Sequence, residues 1–253
     1  MRLFDLPNGK ERHVKRVFFV ALAVLSFFSA GFGILLWRSL PSVTFLALEN
    51  PTETALMKER GGAGRLTWMP LAEVSPRLPQ AVLMGEDAGF YIHSGFDTHE
   101  IKEAFKRNWE EGRTVRGAST ISQQLAKNLF LSSARSYTRK LKEAVLTYRL
   151  EKALSKERIL EIYLNVIEWG DGIYGVEAAA RDVFGKSASR LTAVEAATLA
   201  AMIPSPLRLD PCKSPKSVRV RRDRILNWMH MAEDLTDAEL SDALKQNPKL
   251  RKC

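Results

Sequence analysis

The sequence has few of the residues that build metal centres and disulfide frameworks. It contains two cysteines, Cys212 and Cys253, and four histidines, with no Cys-x-x-Cys pair and no Cys/His cluster at metal-ligand spacing. This scarcity argues against a zinc site. Two cysteines can form a single disulfide in an oxidising compartment or stay as two free thiols, and the sequence alone does not decide between them.

Acidic residues are outnumbered by basic ones, at 29 against 38, which gives a net charge of +9. The excess predicts an anionic partner, and nucleic acid, anionic lipid and a pyrophosphate-bearing substrate all satisfy it. No internal repeat or low-complexity segment is present. A hydrophobic content of 45% and a charged content of 26% are typical of a globular protein. The 253 residues suffice for one sizeable domain with an appendage.

One long apolar run near the N-terminus predicts a membrane anchor. Residues 17–37 carry no charge, and a helix of that length spans roughly 30 Å, the thickness of a bilayer core. The basic residues that precede the run predict a cytoplasmic N-terminus and an exported remainder; they are Lys10, Arg12, Lys15 and Arg16. The alternative is a cleaved signal peptide, but the apolar run continues past the small residues 29–31 to Trp37.

Helical periodicity dominates the part of the chain that follows. Proline and glycine interrupt residues 38–80, whereas apolar residues recur at three- and four-residue spacing beyond them. Thr120 with Gln123, and Thr192 with Glu195, have the spacing of capping boxes that open helices. The pattern therefore predicts a mainly α fold. The predicted helices cover residues 80–87, 98–111, 120–128, 136–154, 156–166 and 218–232, with an Ala-rich helix from 192 that Pro204 ends.

Glu86 is a candidate acid or base. It follows the apolar stretch 81–85 and precedes aromatic residues, so burial would raise its pKa. The alternative is a solvated or capping carboxylate at a helix end.

Residues 117–128 hold a dense set of neutral hydrogen-bonding groups. Ser119, Gln123 and Gln124 lie there with Thr120 at a predicted helix N-terminus, where backbone N–H groups attract anions. The cluster suits a sugar or phosphate ligand, and simple helix capping is the alternative.

Arg135, Arg139 and Glu143 are spaced four residues apart and lie along one face of one helix. Two cations on that face can bind a diphosphate and orient the carboxylate. Lys127 and Lys140 would add to the positive field. The alternative is a solvated stripe of ion pairs.

Five blocks in order resemble the signature blocks of peptidoglycan glycosyltransferases, in particular the monofunctional biosynthetic transglycosylases. The blocks read EDAGFYIHSGFD, GASTISQQLAKN, RKLKEAVLTYRLE, KERILEIYLN and GDGIYGVEAAA. The resemblance runs from about residue 70 to about residue 210. It implies a lysozyme-like helical domain with a small membrane-proximal jaw subdomain, preceded by one transmembrane helix. The implied division is a cytoplasmic tail (1–16), an anchor (17–37), a linker region (38–69), the catalytic domain (70–210) and a basic helical extension (211–253).

The resemblance also implies roles for particular positions. Glu86 matches the catalytic base, which takes a proton from the acceptor 4-hydroxyl as that oxygen attacks the anomeric carbon of the lipid-linked donor with inversion. Glu143 matches the second essential carboxylate, associated with the leaving pyrophosphate directly or through a divalent metal, Mg²⁺ or Mn²⁺. Substrate-binding positions are implied at Ser119, Gln123, Gln124, Lys127, Arg135 and Arg139.

The implied partners are lipid II, the growing glycan strand and membrane lipid, with other cell-wall synthesis proteins nearby. Nucleic acid is not expected, because the catalytic part is exported. No organic cofactor is implied. No Ser-x-x-Lys or Lys-Thr-Gly triplet is present, so transpeptidase activity is not expected. Two alternatives stay open: a lysozyme-like lytic enzyme that cuts the same polymer, and a non-catalytic cell-wall scaffold that retains a glycan-binding cleft.

Overall fold

The computed structural model describes residues 9–61, 66–112, 119–134, 136–251 and 253, with the backbone alone for residues 9–12. The chain divides at Pro41 into an N-terminal unit and a second unit that runs from Ser42 to Cys253. Most of the described residues are helical, as the sequence predicted. The helices are α1 (Gly9–Ser39), α2 (Ala55–Glu59), α3 (Arg77–Glu86), α4 (Thr98–Glu110), α5 (Ile121–Phe130), α6 (Tyr137–Ala153), α7 (Lys156–Val166), α8 (Val176–Phe184), α9 (Ala193–Met202), α10 (Pro215–Met231) and α11 (Asp237–Lys245).

The N-terminal unit is built on α1. Its segment His13–Ser39 is long and apolar enough to cross a membrane. The large apolar side chains of this segment are exposed along its length, which suits a lipid environment. The structure is therefore compatible with a single-pass anchor.

The first packing layer of the second unit contains α3, α9 and α10. α9 packs against both of the other helices, and its sequence AVEAATLAAM buries every residue from Ala196 to Met202. Small alanine side chains leave room for helix axes to approach closely on more than one side. Thr192 and Glu195 form the predicted capping box at its start.

The second layer is formed by α5, α6 and α7, with α5 packed against both of the others and against α2. α7 supplies a continuous buried stretch from Ile162 to Val166. A short antiparallel hairpin follows, with strands β1 (Glu168–Gly170) and β2 (Ile173–Tyr174). Gly175 is the N-cap residue before α8 and has φ of +84°, and a Cβ there would lie 2.8 Å from the backbone oxygen of Asn165.

Among the described residues there are also three short 3₁₀ helices, Thr44–Ala47, Leu71–Glu73 and Ala188–Arg190. Arg158 on α7 holds the first of them. Its Nε donates to the Leu46 carbonyl at 2.8 Å, and its Nη2 donates to the Glu49 carbonyl at 2.9 Å. Arg158 thus helps to fix the segment that follows α1 to the core, together with the buried side chains of Val43 and Leu46.

α4 has the amphipathic pattern that the sequence predicts, but its apolar stripe is mostly exposed. Ala104 is buried, whereas Ile101, Phe105 and Trp109 are exposed, with the last two rings stacked at 6.2 Å between centroids. Periodicity identifies which residues share a face and does not identify what covers that face.

The C-terminal segment is tied to the core at several points. Cys212 and Cys253 form a disulfide, which settles the alternative that the sequence left open. The Arg251 N–H donates to the Val183 carbonyl at 2.7 Å. α10 packs against α3 and α9, so the helix predicted within a C-terminal extension lies against the helix that ends at Glu86.

Candidate active site

Glu86 is the last residue of α3, and its carboxylate lies at the centre of the site. The side chain is 9% exposed. Gln124 Nε2 on α5 donates to its Oε2 at 2.9 Å, and Arg221 Nη2 on α10 approaches its Oε1 at 3.3 Å. Burial raises the pKa of Glu86, and the two donors oppose that rise. A buried carboxyl with a raised pKa is suited to proton transfer.

Asp87 positions the elements of the site through hydrogen bonds to the protein. It caps the end of α3, and its Oδ2 accepts a hydrogen bond from the Ile121 N–H at 2.9 Å. His93 Nε2 lies 2.9 Å from Oδ1 of the same carboxylate. Asp87 therefore couples the end of α3 to the beginning of α5, which sets the distance between Glu86 and the α5 side chains.

The start of α5 is fixed by Thr120. Its side chain accepts from the Gln123 N–H at 3.2 Å and donates to the Gly95 carbonyl at 2.8 Å. The Gln123 Oε1 accepts from the Thr120 N–H at 3.0 Å, which completes the predicted capping box. Of the predicted polar positions, Gln123 thus has its amide oxygen engaged in the helix cap, and Ser119 is exposed just before the helix.

Gln124 is oriented by a buried tyrosine. The Tyr163 hydroxyl, on α7, donates to Gln124 Oε1 at 2.9 Å, so the amide nitrogen is directed to Glu86. Burial, together with the charges of Glu86 and Asp87, raises the pKa of Tyr163 well above its usual value. The hydroxyl therefore stays protonated and acts as a donor.

Glu143 occupies a second buried position, on α6, and is 3% exposed. Arg139 Nη1 donates to its Oε2 at 2.6 Å, and Lys140 Nζ donates to its Oε1. The pairing follows the predicted helical spacing. Arg139 Nε is buried with no hydrogen-bond partner in the described part of the chain, so this guanidinium has a donor to spare.

Lys127 belongs to the same charged group. Burial lowers the pKa of its amine, the Glu143 carboxylate raises it, and the nearby cations Arg139, Lys140 and Arg60 lower it further. A partly desolvated ammonium among other cations attracts an anion strongly. Arg135, the remaining predicted cation, lies outside the described residues.

α5 joins the two parts of the site. Gln124 contacts Glu86, and Lys127, three residues later, lies within electrostatic range of Glu143. Residues three apart on a helix lie on the same face, with Cβ atoms about 5–6 Å apart. One helix face therefore presents an amide to the buried carboxylate and a cation to the second charged group.

The side chains around Glu143 do not form a metal site by themselves. Among the described residues, no three His, Cys, Asp or Glu side chains are grouped so that they could hold a metal ion. Glu143 is a single carboxylate whose two oxygens contact Arg139 and Lys140. Cations around a lone carboxylate disfavour a bound metal ion unless the substrate supplies further anionic ligands.

Arg221 and Tyr163 are contacts of the site that the sequence did not reveal. Arg221 reaches Glu86 because Gly85 lets α10 approach closely, with Ile225 Cδ1 placed 3.1 Å from where a Gly85 Cβ would be. The available signal was helical spacing: Arg221 lies four residues before the buried Ile225, next to the apolar stripe. Tyr163 lies in the fourth of the five signature blocks, KERILEIYLN, for which no site residue was predicted.

The family model described as Transglycosylase matches residues 53–230 of this chain. The chain belongs to the transglycosylase family. Three proteins named biosynthetic peptidoglycan transglycosylase are similar to it. That of Azoarcus sp. (strain BH72) is 47% identical over 211 residues, 79% of this chain and 91% of the relative. That of Nitrosospira multiformis is 43% identical over 216 residues, with coverages of 85% and 94%. That of Chromobacterium violaceum is 51% identical over 162 residues, with coverages of 64% and 71%.

The family match includes Glu86, Glu143 and most of α10, and it extends beyond the predicted catalytic range of 70–210 on both sides. The domain boundaries within the second unit stay predictions. The mainly helical fold and the resemblance to this family are confirmed.

Proposed function

We propose that this chain is a peptidoglycan glycosyltransferase that polymerises lipid II into glycan strands, with Glu86 as the general base. The observation that carries the proposal is the pairing on α5: Gln124 bonds the buried Glu86, and Lys127 joins the cation group around the buried Glu143. A reaction that removes a proton at one point and releases a diphosphate at another needs both features.

The base step uses Glu86. Its carboxylate takes the proton of the acceptor 4-hydroxyl, and the acceptor oxygen forms a bond to the anomeric carbon of the donor. The bond from that carbon to the phosphate oxygen breaks on the opposite face, so the configuration inverts. Burial, which raises the pKa of Glu86, makes the carboxylate a stronger base than an exposed one.

The leaving step uses the cations beside Glu143. The departing lipid diphosphate carries developing negative charge, which Lys127 and Arg139 neutralise. Glu143 holds Arg139 in place, and its charge raises the pKa of Lys127 against the lowering by burial. Arg135 and Ser119 complete the proposed binding set, whereas the Gln123 amide oxygen closes the cap of α5.

A divalent cation, Mg²⁺ or Mn²⁺, is part of the proposal as a companion of the diphosphate. Such ions are commonly held by substrate phosphates with one or two protein carboxylates. Glu143 is the carboxylate suited to that role, and when bound the ion would add positive charge at the diphosphate. The base step above is independent of it.

The environment of Glu143 fits a glycosyltransferase better than it fits a lytic enzyme. Glycoside hydrolysis uses two carboxyl groups on either side of the scissile bond. Here Glu143 is paired with two cations, and Lys127 lies in the same charged group. That arrangement suits an anion and has no evident use in cutting a neutral glycosidic bond.

We place the catalytic unit outside the cytoplasmic membrane, with the N-terminus in the cytoplasm. The basic residues before α1 support this orientation. The Cys212–Cys253 disulfide also supports it, because disulfides persist in oxidising compartments. A tether to the bilayer keeps the catalytic unit close to a substrate whose lipid tail stays in the membrane.

The test is polymerisation of labelled lipid II by the full chain in detergent, with Glu86→Gln beside it. The native chain is expected to make lysozyme-sensitive polymer. Glu86→Gln is expected to reduce the rate by about 10²–10⁴-fold, the usual contribution of a general base. Glu103→Gln, an exposed change on α4, is the control and should keep the native rate.

Two outcomes would overturn the proposal. Degradation of finished glycan without polymerisation would favour the lytic enzyme. Binding of lipid II with neither activity would favour the scaffold.

A further inference from the structure

Arg221 approaches Glu86 from a helix that the sequence did not connect with the site. Its Nη2 lies 3.3 Å from Glu86 Oε1 and 3.5 Å from the Gly85 carbonyl oxygen. Gln124 occupies the other carboxylate oxygen. The carboxylate is thus held between two donors from two different helices, one neutral and one charged.

The other groups around Glu86 are neutral or negatively charged, so the positive charge of Arg221 has a large effect on its ionisation. Asp87, the next residue in the chain, carries a negative charge that opposes ionisation of Glu86. The Asp87 carboxylate is itself hydrogen-bonded to His93. From α7 comes the neutral Tyr163 hydroxyl, and α5 contributes the neutral Gln124 amide. Glu195, the acidic residue of α9, pairs with Lys186. Within the described part of the chain, Arg221 is the cation in contact with Glu86.

The neighbouring arginine has a different environment. Arg222 is 3% exposed, bonds Asp223 and donates to the Gln246 carbonyl, and so holds the C-terminal segment. Arg221 has a buried Nε with no hydrogen-bond partner among the described residues. Its guanidinium position is therefore explained by Glu86 and Gly85 and not by complete satisfaction of its own donors.

We propose that Arg221 is a positioning residue that holds Glu86 in its ionised form, oriented for proton transfer. The proposal rests on the proposed role of Glu86 as general base. A general base must be unprotonated before it acts, and burial alone favours the protonated form. The guanidinium of Arg221 offsets that burial without taking part in the bond changes.

The test is the pH dependence of kcat/KM for polymerisation of labelled lipid II by the full chain, measured between about pH 5 and about pH 9. Arg221→Met removes the charge, so the pKa of Glu86 rises and the acidic limb is expected to move up by about one pH unit. Much of the lost activity should return at the alkaline end. Arg221→Lys keeps the charge and should restore most of the shift.

Two further variants complete the test. Arg219→Met removes an exposed charge from the same helix and should leave the profile unchanged. Arg221→Gln is a second neutral variant, for use if the methionine variant has a lowered melting temperature.

A rate that falls by the same factor at every pH in both neutral variants, with no recovery in Arg221→Lys, would make Arg221 merely structural and overturn the proposal. Failure of the proposed function has a different signature, because the native chain would then make no polymer, and failure of the base role of Glu86 would leave Glu86→Gln polymerising at the native rate.

Discussion

At the scale of single residues, Gln123 and Gln124 are neighbours whose side-chain amides serve different parts of the structure. Gln123 accepts from the Thr120 N–H and closes the cap of its own helix. Gln124 accepts from the Tyr163 hydroxyl and donates to Glu86. Successive helical residues point about 100° apart, so neighbours seldom serve the same ligand.

Alanine substitutions should therefore separate the two. Gln123→Ala removes half of a capping box and is expected to lower the free energy of unfolding by about 1 kcal/mol, with kcat within about twofold of native. Gln124→Ala is expected to lower kcat by about tenfold or more and leave the unfolding midpoint nearly unchanged. Urea denaturation and lipid II polymerisation on the same two preparations measure both quantities. Equal losses of kcat in the two variants would contradict this division.

Sequence reasoning places some site residues better than others for a physical reason. Arg139 and Glu143 are separated by one helical turn, so their contact follows from local geometry. Glu86 and Arg221 are 135 residues apart in the chain. Their contact depends on how α10 packs against α3, which periodicity does not specify. The Glu86–Gln124 contact, across 38 residues, is also non-local, and the family resemblance implied only that both positions belong to the site.

At the scale of elements, the turn between the β1–β2 hairpin and α8 depends on Gly175. Its φ of +84° and ψ of +148° fall in a region that is essentially restricted to glycine. A Cβ there would also lie 2.8 Å from the Asn165 backbone oxygen. Asn165 in turn binds both the N–H and the carbonyl of Met69, so this turn supports the connection that leads into α3.

Gly175→Ala is therefore expected to lower the free energy of unfolding by about 3 kcal/mol or more, from backbone strain and the steric clash together. Gly172→Ala is the matched control, because Gly172 also has positive φ, +69°, but open space where its Cβ would be. It should cost only about 1–2 kcal/mol. Equal midpoints for the two variants in chemical denaturation would show that the clash is relieved by a small backbone shift.

The helices themselves were largely predictable, since capping residues and periodicity are local signals. The helix predicted over 156–166 has the observed bounds, and the one predicted over 136–154 begins and ends within a residue of them. The exposed stripe of α4 and the helix over residues 176–184 were not anticipated. The glycines before residue 176 were interpreted as a break, and the hydrophobic face of α8 was not used.

At the scale of the whole molecule, the Cys212–Cys253 disulfide closes a loop across a sequence separation of 41 residues. The loop contains α10, and with it Arg221, and α11. A cross-link of this span restricts the unfolded chain and stabilises the folded one by about 4 kcal/mol in the chain-entropy model. The sequence left the pairing open because it did not show that the two segments meet.

Cys253→Ser is accordingly expected to lower the free energy of unfolding by up to about 4 kcal/mol. A reducing agent should shift the denaturation midpoint of the native chain to that of the variant and leave the variant unaffected. An unchanged midpoint on reduction would show that contacts such as that of Arg251 with Val183 hold the segment without the cross-link.

The single helix face that carries Gln124 and Lys127 also defines a fixed spacing for inhibitor design. A compound that binds both side chains would need a hydrogen-bond acceptor for the amide and an anionic group for the ammonium, placed to suit two side chains whose Cβ atoms are about 5–6 Å apart on one helix face. Because both anchors belong to α5, a shift of the helix moves them together. A change of this face that prevented binding of such a compound would at the same time disturb the contact with Glu86 and the charged group around Glu143.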